Sequence, residues 1–306
     1  MLDYSKFDRV FPSGRQSPYD RALQHEIEDH RKGLEGTLFI DRVMKSLGIS
    51  KGKPYPPKSD GALRQLHQQI CEAAMSIHHK QSLLYYILLD FDAIGGQGSA
   101  SQVFASESGM PTIYQTFMKG LWHMDRQDYQ QALECVAHPS LSPDFADEII
   151  IALVRHAPND DYSLALSYFY TVRPILKSSS ALEQLFDAMI RTNATEALLF
   201  SRSHPQHTRE QLFRRWVWGT LEDGRGQGSP SGRGELAFMP LDSTEENWFE
   251  EYLTTGEGRN LKRAKDTLLI RKIACDRFAD VGKQRAGGQW AAVLEGIKNG
   301  TQGHGD

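Results

Sequence analysis

Cysteine is scarce in this chain. Among 306 residues there are three, Cys71, Cys135 and Cys275. They lie far apart and are odd in number, so neither a disulfide framework nor a paired-thiolate metal site can be read from them, and a reducing intracellular compartment is the expectation. An excess of one charge is lacking too. Lys and Arg total 35 against 39 Asp and Glu, a formal net charge of −4, whereas a dedicated nucleic-acid-binding domain is usually strongly basic. Long apolar runs are missing. The longest, Leu83 to Phe91, covers nine positions and contains Asp90, about half of the ~20 residues that a membrane-spanning helix needs. The opening MLDYSKFDRVFPSGR has no unbroken apolar core, so a secretory leader is not expected.

What is present reads as a helical protein. Hydrophobic residues make up 40% of the chain and charged residues 24%, enough apolar surface to build a core without a covalent or metal staple. Stretches that alternate with period two are few, while apolar residues recur at helical spacing. Residues 1–17 carry Pro12 and Gly14 without steady periodicity and read as an arm. Ser17 before Pro18 reads as a helix cap, Thr37 as a second cap, and Asp60 as the cap of a long segment through Leu63, Leu66, Ile70 and Ile77. From Pro111 onward short helices follow one another, opened by Pro111, Asp128, Pro143, Asn159, Ser179 and Asn193. Helices of this length have apolar faces too wide to stay in water. Stacking antiparallel pairs buries them, so the expected fold is all-α, an irregular α-helical solenoid over 18–222.

After that domain, DGRGQGSPSGRG at 223–234 has five Gly, two Ser and one Pro and reads as a flexible linker. A C-terminal helical segment is expected over 235–296, with Ser243 and Glu246 forming a capping box, and a frayed tail over 297–306.

No assembled catalytic, metal or cofactor site emerges. His25, Glu26 and His30 in HEIEDH are spaced by five rather than four, which puts the imidazoles about 500° apart around a helix instead of on one face. GGQGSAS after the apolar run has Ser101 where a dinucleotide fingerprint needs its third Gly or Ala. His78 and His79 are adjacent and point apart. Arg259 to Arg285 holds nine basic and three acidic residues, while Asp242 to Glu257 holds six acids and no base; two such helices neutralise each other more readily than they bind phosphate. Trp216, Trp218, Trp248, Phe249 and Tyr252 stand out as aromatic candidates for a protein interface, with burial in a core as the competing reading.

The middle of the chain is more specific. PTIYQTFMKGLWHMDRQDYQQALECVAHPSL, then SPDFADEIIIALV, then SLALSYFYTVRPIL, resembles the ELYS-like domain of nuclear pore assembly proteins. The residues that carry the likeness are Trp122, Asp125, Asp128, Tyr129, Ala132 and Leu133, then His138-Pro139-Ser140-Leu141, Pro143, Phe145, Asp147 and Ile149, and finally Thr171-Val172-Arg173-Pro174. It covers about residues 36 to 221, and 239 to 278 more loosely. The resemblance implies a non-enzymatic scaffold nucleoporin without a cofactor, located in the nuclear pore complex at the nuclear envelope. It also implies docking on the Y-shaped outer-ring subcomplex, through the solenoid subunit of its short arm and a small β-propeller subunit, in support of pore assembly and of protein and mRNA transport. The short length is similar to fungal members, so scaffold incorporation rather than chromatin recruitment is the expectation. Two rival readings remain: a tetratricopeptide-like adaptor, cytosolic or nuclear, that binds peptides in a concave groove, and a helical metal-dependent hydrolase.

Overall fold

The computed structural model describes residues 2–11, 17–49, 52–95, 99–222, 236–275, 277 and 296. The linker expected at 223–234 and the tail expected at 297–306 lie outside the described residues, as does most of 278–296. Among the described residues there is no strand: the fold is all-α. The chain divides into two compact units, Met1–Ala181 and Leu182–Asp306, a division that falls within the span read as one helical domain.

The first unit contains α1 (Phe7–Val10), α2 (Arg21–Gly33), α3 (Phe39–Ser46), α4 (Asp60–Glu72), α5 (Ile77–Gly95), α6 (Ala100–Ser108), α7 (Thr112–Asp125), α8 (Tyr129–Val136), α9 (Ala146–Arg155) and α10 (Ser163–Val172). Its centre is α5. Every residue from Leu83 to Phe91 is buried, including Asp90, because this helix is apolar around its whole circumference and must be covered on all sides. It packs on α4, α6 and α7. The α7 helix in turn meets α2, α3 and α8, and Gly120 lets α8 come close: a Cβ there would sit 2.7 Å from Val136 Cγ1.

The second unit contains the remainder of α11 (Ser179–Thr192), then α12 (Ala194–Arg202), α13 (Gln206–Glu222), α14 (Ser243–Thr254) and α15 (Ala264–Ala274). Here α12 packs on α13, α13 on α14, and α14 on α15.

Several helix starts differ from the sequence expectation. Asp20 rather than Ser17 caps α2, its carboxylate accepting the Leu23 N–H at 2.8 Å. Leu38 rather than Thr37 is the residue before α3, and Asp41 accepts its N–H at 3.0 Å. Ser59 caps α4 one residue ahead of Asp60. The segment expected to run unbroken through Ile77 stops at Glu72, where Ala73 turns extended (φ −61°, ψ 142°). The capping box of α14 is Asp242 with Glu245, not Ser243 with Glu246. Asp242 accepts the Thr244 and Glu245 N–H groups, both at 2.9 Å, and Glu245 accepts the Asp242 N–H at 3.0 Å. An ionised carboxylate at a helix N-terminus outcompetes a hydroxyl. Asn193 caps α12 as expected. The N-terminal arm is partly helical: Phe11 is buried against Phe91, and Phe7 and Phe11 both edge onto His67.

Candidate protein-interaction site

Two buried acids organise the first unit. Trp122 and Asp125, both at the end of α7, stand one helical turn apart. Trp122 Nε1 donates to Asp90 Oδ1 at 2.8 Å, and the hydroxyls of Tyr19 and Tyr55 donate to Asp90 Oδ2 at 2.6 and 2.8 Å. Asp125 accepts the N–H groups of Phe39 and Ile40 and the Tyr86 hydroxyl, at 2.6, 2.9 and 2.8 Å. Burial raises both carboxyls above their ordinary range, Asp125 to about 7, although the hydrogen bonds pull the other way. Beside this network Arg31, fully buried, reaches Asp41, Glu28 and the carbonyl of Tyr55. All four carboxylate oxygens of the two acids are occupied and both acids are buried. This arrangement can hold five separate chain segments together; it offers no open position to a substrate.

Above that frame lies a groove. Its walls come from the end of α3 (Val43, Leu47), the start of α5 (His79, Ser82), α7 (Tyr114, Phe117, Met118), the turn before α9 (Pro143 to Glu148) and the stretch after α10 (Ile175, Lys177), enclosing about 580 Å³. Phe145 and Phe117 stack on each other in its lining, with ring centroids 6.4 Å apart and planes within 9°. Phe145 sits in the left-handed region (φ 57°, ψ 27°), which costs a bulky side chain on the order of 1–3 kcal/mol and is typical of functional turns. The other wall follows from Thr171-Val172-Arg173-Pro174. Arg173 closes α10 in the left-handed conformation and Pro174 prevents the helix from resuming. Asp147 then accepts the N–H groups of Lys177 and Ser178, at 3.1 and 2.8 Å. Between those anchors Ile175 projects into solvent, 86% exposed. Thus Pro143, Phe145, Asp147 and the Arg173-Pro174 turn, read in the sequence as family-like features, converge on one surface.

The five aromatic candidates divide differently. Trp216, Trp248, Phe249 and Tyr252 are buried in the second unit, and Trp218 is half exposed. Trp216 donates to the Ala194 carbonyl at 2.7 Å, and Phe213 lies between Trp216 and Trp248 at centroid distances of 5.6 and 5.8 Å. These four pack among α12, α13, α14 and α15, which is the competing core reading of the sequence. The sequence reading missed Phe238, 67% exposed. Its turn is clasped by buried Arg271, whose Nη1 donates to the carbonyls of Ala237 and Met239 at 3.1 and 3.0 Å. Ile175 and Phe238 follow a Pro and an Ala in segments without helical period, so nothing in the pattern separates them from core.

The basic and acidic C-terminal segments neutralise each other through Arg271–Glu246, Lys272–Glu250 and Arg277–Glu250. In HEIEDH, His25 pairs with Asp29 at 3.4 Å and Glu26 with Arg126 at 3.1 Å. Among the described residues no group of three or more His, Cys, Asp or Glu side chains is placed to hold a metal ion, and no helix is long and apolar enough to cross a membrane.

Comparison with known proteins agrees with this geometry. Two relatives illustrate it. An uncharacterized protein of Schizosaccharomyces pombe, ely5, is 28% identical over 162 residues, 52% of this chain and 51% of that protein. Protein ELYS of Xenopus laevis is 25% identical over 184 residues, 52% of this chain and 7% of that protein. The matched part of the chain thus spans about half of the first relative's length and a small fraction of the second's. The model of the ELYS family, described as nuclear pore complex assembly, matches residues 37–256. With that match covering well over half of the chain, the protein belongs to the ELYS family of nuclear pore complex assembly, a family of the nucleus and its pores.

Proposed function

We propose that this chain is a non-enzymatic scaffold component of the nuclear pore, docking on the Y-shaped outer-ring subcomplex and supporting pore assembly and nucleocytoplasmic transport, mRNA export included. The family match over residues 37–256 carries the reading. The helix pairs act as an irregular solenoid segment that offers surfaces to neighbours, and the groove beside Ile175 is one such surface. The short-arm solenoid subunit and the small β-propeller subunit of the Y-shaped complex are its partners in this reading.

The test is biochemical. The tagged full chain, expressed in its native cell, is purified under gentle conditions and its companions are identified by mass spectrometry, while a fluorescent fusion is imaged. Co-purification of the Y-shaped complex in near-equal amounts and a rim of fluorescence around the nucleus are expected. A diffuse signal with no scaffold nucleoporin recovered overturns the proposal.

A further inference from the structure

The groove of the first unit is shaped and charged for a particular visitor. Its volume of about 580 Å³ falls within the roughly 300–1,000 Å³ typical of ligand-sized pockets. Its lining is about half apolar, with Phe117, Phe145 and Leu47 partly exposed, and about half polar. Ile175 stands at the edge, almost wholly exposed.

An extended peptide has little to hold here. Strand addition draws its affinity from main-chain hydrogen bonds along a sheet edge, and among the described residues there is no sheet. A helix brings its own backbone hydrogen bonds and needs only a cleft for a stripe of side chains at i, i+3, i+4 and i+7. The rim then selects by charge. Asp144, Asp147 and Glu148 face Lys177 among the lining residues, and the nearby Arg42 is engaged by Glu148 at 3.5 Å. With Glu148 spent on Arg42 and Lys177 offsetting one acid, a single carboxylate is in excess; a positive side chain flanking the stripe gains from it, and a negative one is repelled.

We infer that the groove receives an amphipathic α-helix of another protein, with large aliphatic residues on one face and Lys or Arg beside them. This rests on the reading of the chain as a scaffold component, whose place in an assembly requires such a contact.

The probes are three fluorescein-labelled 18-residue synthetic helices. One has Leu anchors at i, i+3, i+4 and i+7 flanked by Lys, the second has the same anchors flanked by Glu, and the third has the anchors scattered around the helix. Fluorescence anisotropy with the full chain is expected to show binding of the Lys helix, at least tenfold weaker binding of the Glu helix, and none of the scattered one. Ile175→Ser, at a position too exposed to disturb folding, should weaken the Lys helix at least tenfold with an unchanged melting curve; Phe117→Ala supplies a second variant inside the cleft. Equal binding of Lys and Glu helices, or retention of binding by both variants, overturns the inference. So does a dimer of the chain alone in sedimentation that Ile175→Ser dissolves, which would make a second copy the occupant. Co-purification of the wild-type chain with the pore scaffold is scored separately. If it succeeds while the helices fail to bind, the groove inference falls and the scaffold reading stands; if no scaffold protein is recovered, the scaffold reading itself falls.

Discussion

Asp125 accepts the backbone N–H of Phe39 at 2.6 Å, across 86 residues of chain. With its second oxygen on the Ile40 N–H and the Tyr86 hydroxyl, it satisfies the start of α3 from α7, where a local cap would ordinarily serve. Asp125→Ala leaves two backbone donors and a hydroxyl unpaired in a dry core, at about 1–3 kcal/mol each. A loss on the order of 3–5 kcal/mol is expected in urea denaturation. Asp125→Asn, which keeps one acceptor, should lose less. A loss below about 1 kcal/mol in the Ala variant would show that water replaces the carboxylate.

The same carboxyl makes stability depend on pH. Unfolded, it ionises near 4; folded, burial pushes it up to about 7. Between those values the folded chain holds a proton that the unfolded chain has released, so this group's contribution falls as pH rises and levels off above about 7. Asp90, raised by burial, has the same sign. His30, His67 and His123 are lowered by burial and act oppositely, adding stability as pH rises toward 6.5. Glu245, lowered because the hydrogen bonds of Arg202 and Arg209 overcome the burial that would raise it, matters only below its ordinary range. Comparison with Asp125→Asn cancels the histidines and Glu245. The advantage of the wild type is expected to be largest below about pH 4 and to shrink by about 1–3 kcal/mol between pH 5 and pH 7.5. A pH-independent difference would refute the assignment.

Gly120 sets the approach of α7 to α8. An added Cβ would lie 2.7 Å from Val136 Cγ1 and 3.0 Å from Cys135 Cβ. On an exposed helix Gly→Ala stabilises by up to about 1 kcal/mol; here overpacking reverses the sign, and Gly120→Ala should cost about 1–3 kcal/mol. Val136→Ala in the Gly120→Ala background should recover part of that loss, because the two side chains compete for one space. Additive losses in thermal denaturation would mean that they do not.

The features legible in the sequence are those with local causes. The apolar run of Leu83 to Phe91 and the Asn193 cap are written in neighbouring residues; the run is a buried helix, and the cap is placed as expected. Capping boxes were harder, because Asp242 and Ser243 both have a Glu three residues on and only the approach of Arg202 and Arg209 favours Glu245. The role of Asp125 was not legible at all. Its partners at Phe39, Ile40 and Tyr86 lie in other helices, and an acid after a Trp says nothing of what it caps. The groove was half legible: Phe145, Asp147 and Arg173-Pro174 attracted notice as family-like residues, but their convergence depends on left-handed turns at Phe145 and Arg173 that non-glycine residues do not announce.

The aromatic residues of the second unit give the last prediction. Trp248 and Phe249 are buried, Trp248 against Phe213 and under the Arg209 guanidinium, and Phe249 beneath that of Arg271. A surface anchor can be truncated without unfolding its host, whereas a core aromatic cannot. Removing a buried Trp or Phe costs about 3–5 kcal/mol, a large part of a domain's total stability. Trp248→Ala with Phe249→Ala is therefore expected to lower the melting temperature by on the order of 10 °C or more and to abolish the near-ultraviolet circular dichroism of these rings. Trp218→Ala and Phe238→Ala, at exposed positions, should shift it by no more than about 2 °C, since surface substitutions usually stay within ±0.5 kcal/mol. Any loss of partner binding in the double variant would then follow from unfolding, and only the two exposed variants can report a contact surface. If the double variant melts within about 2 °C of the wild type, those side chains are not the core that their burial indicates.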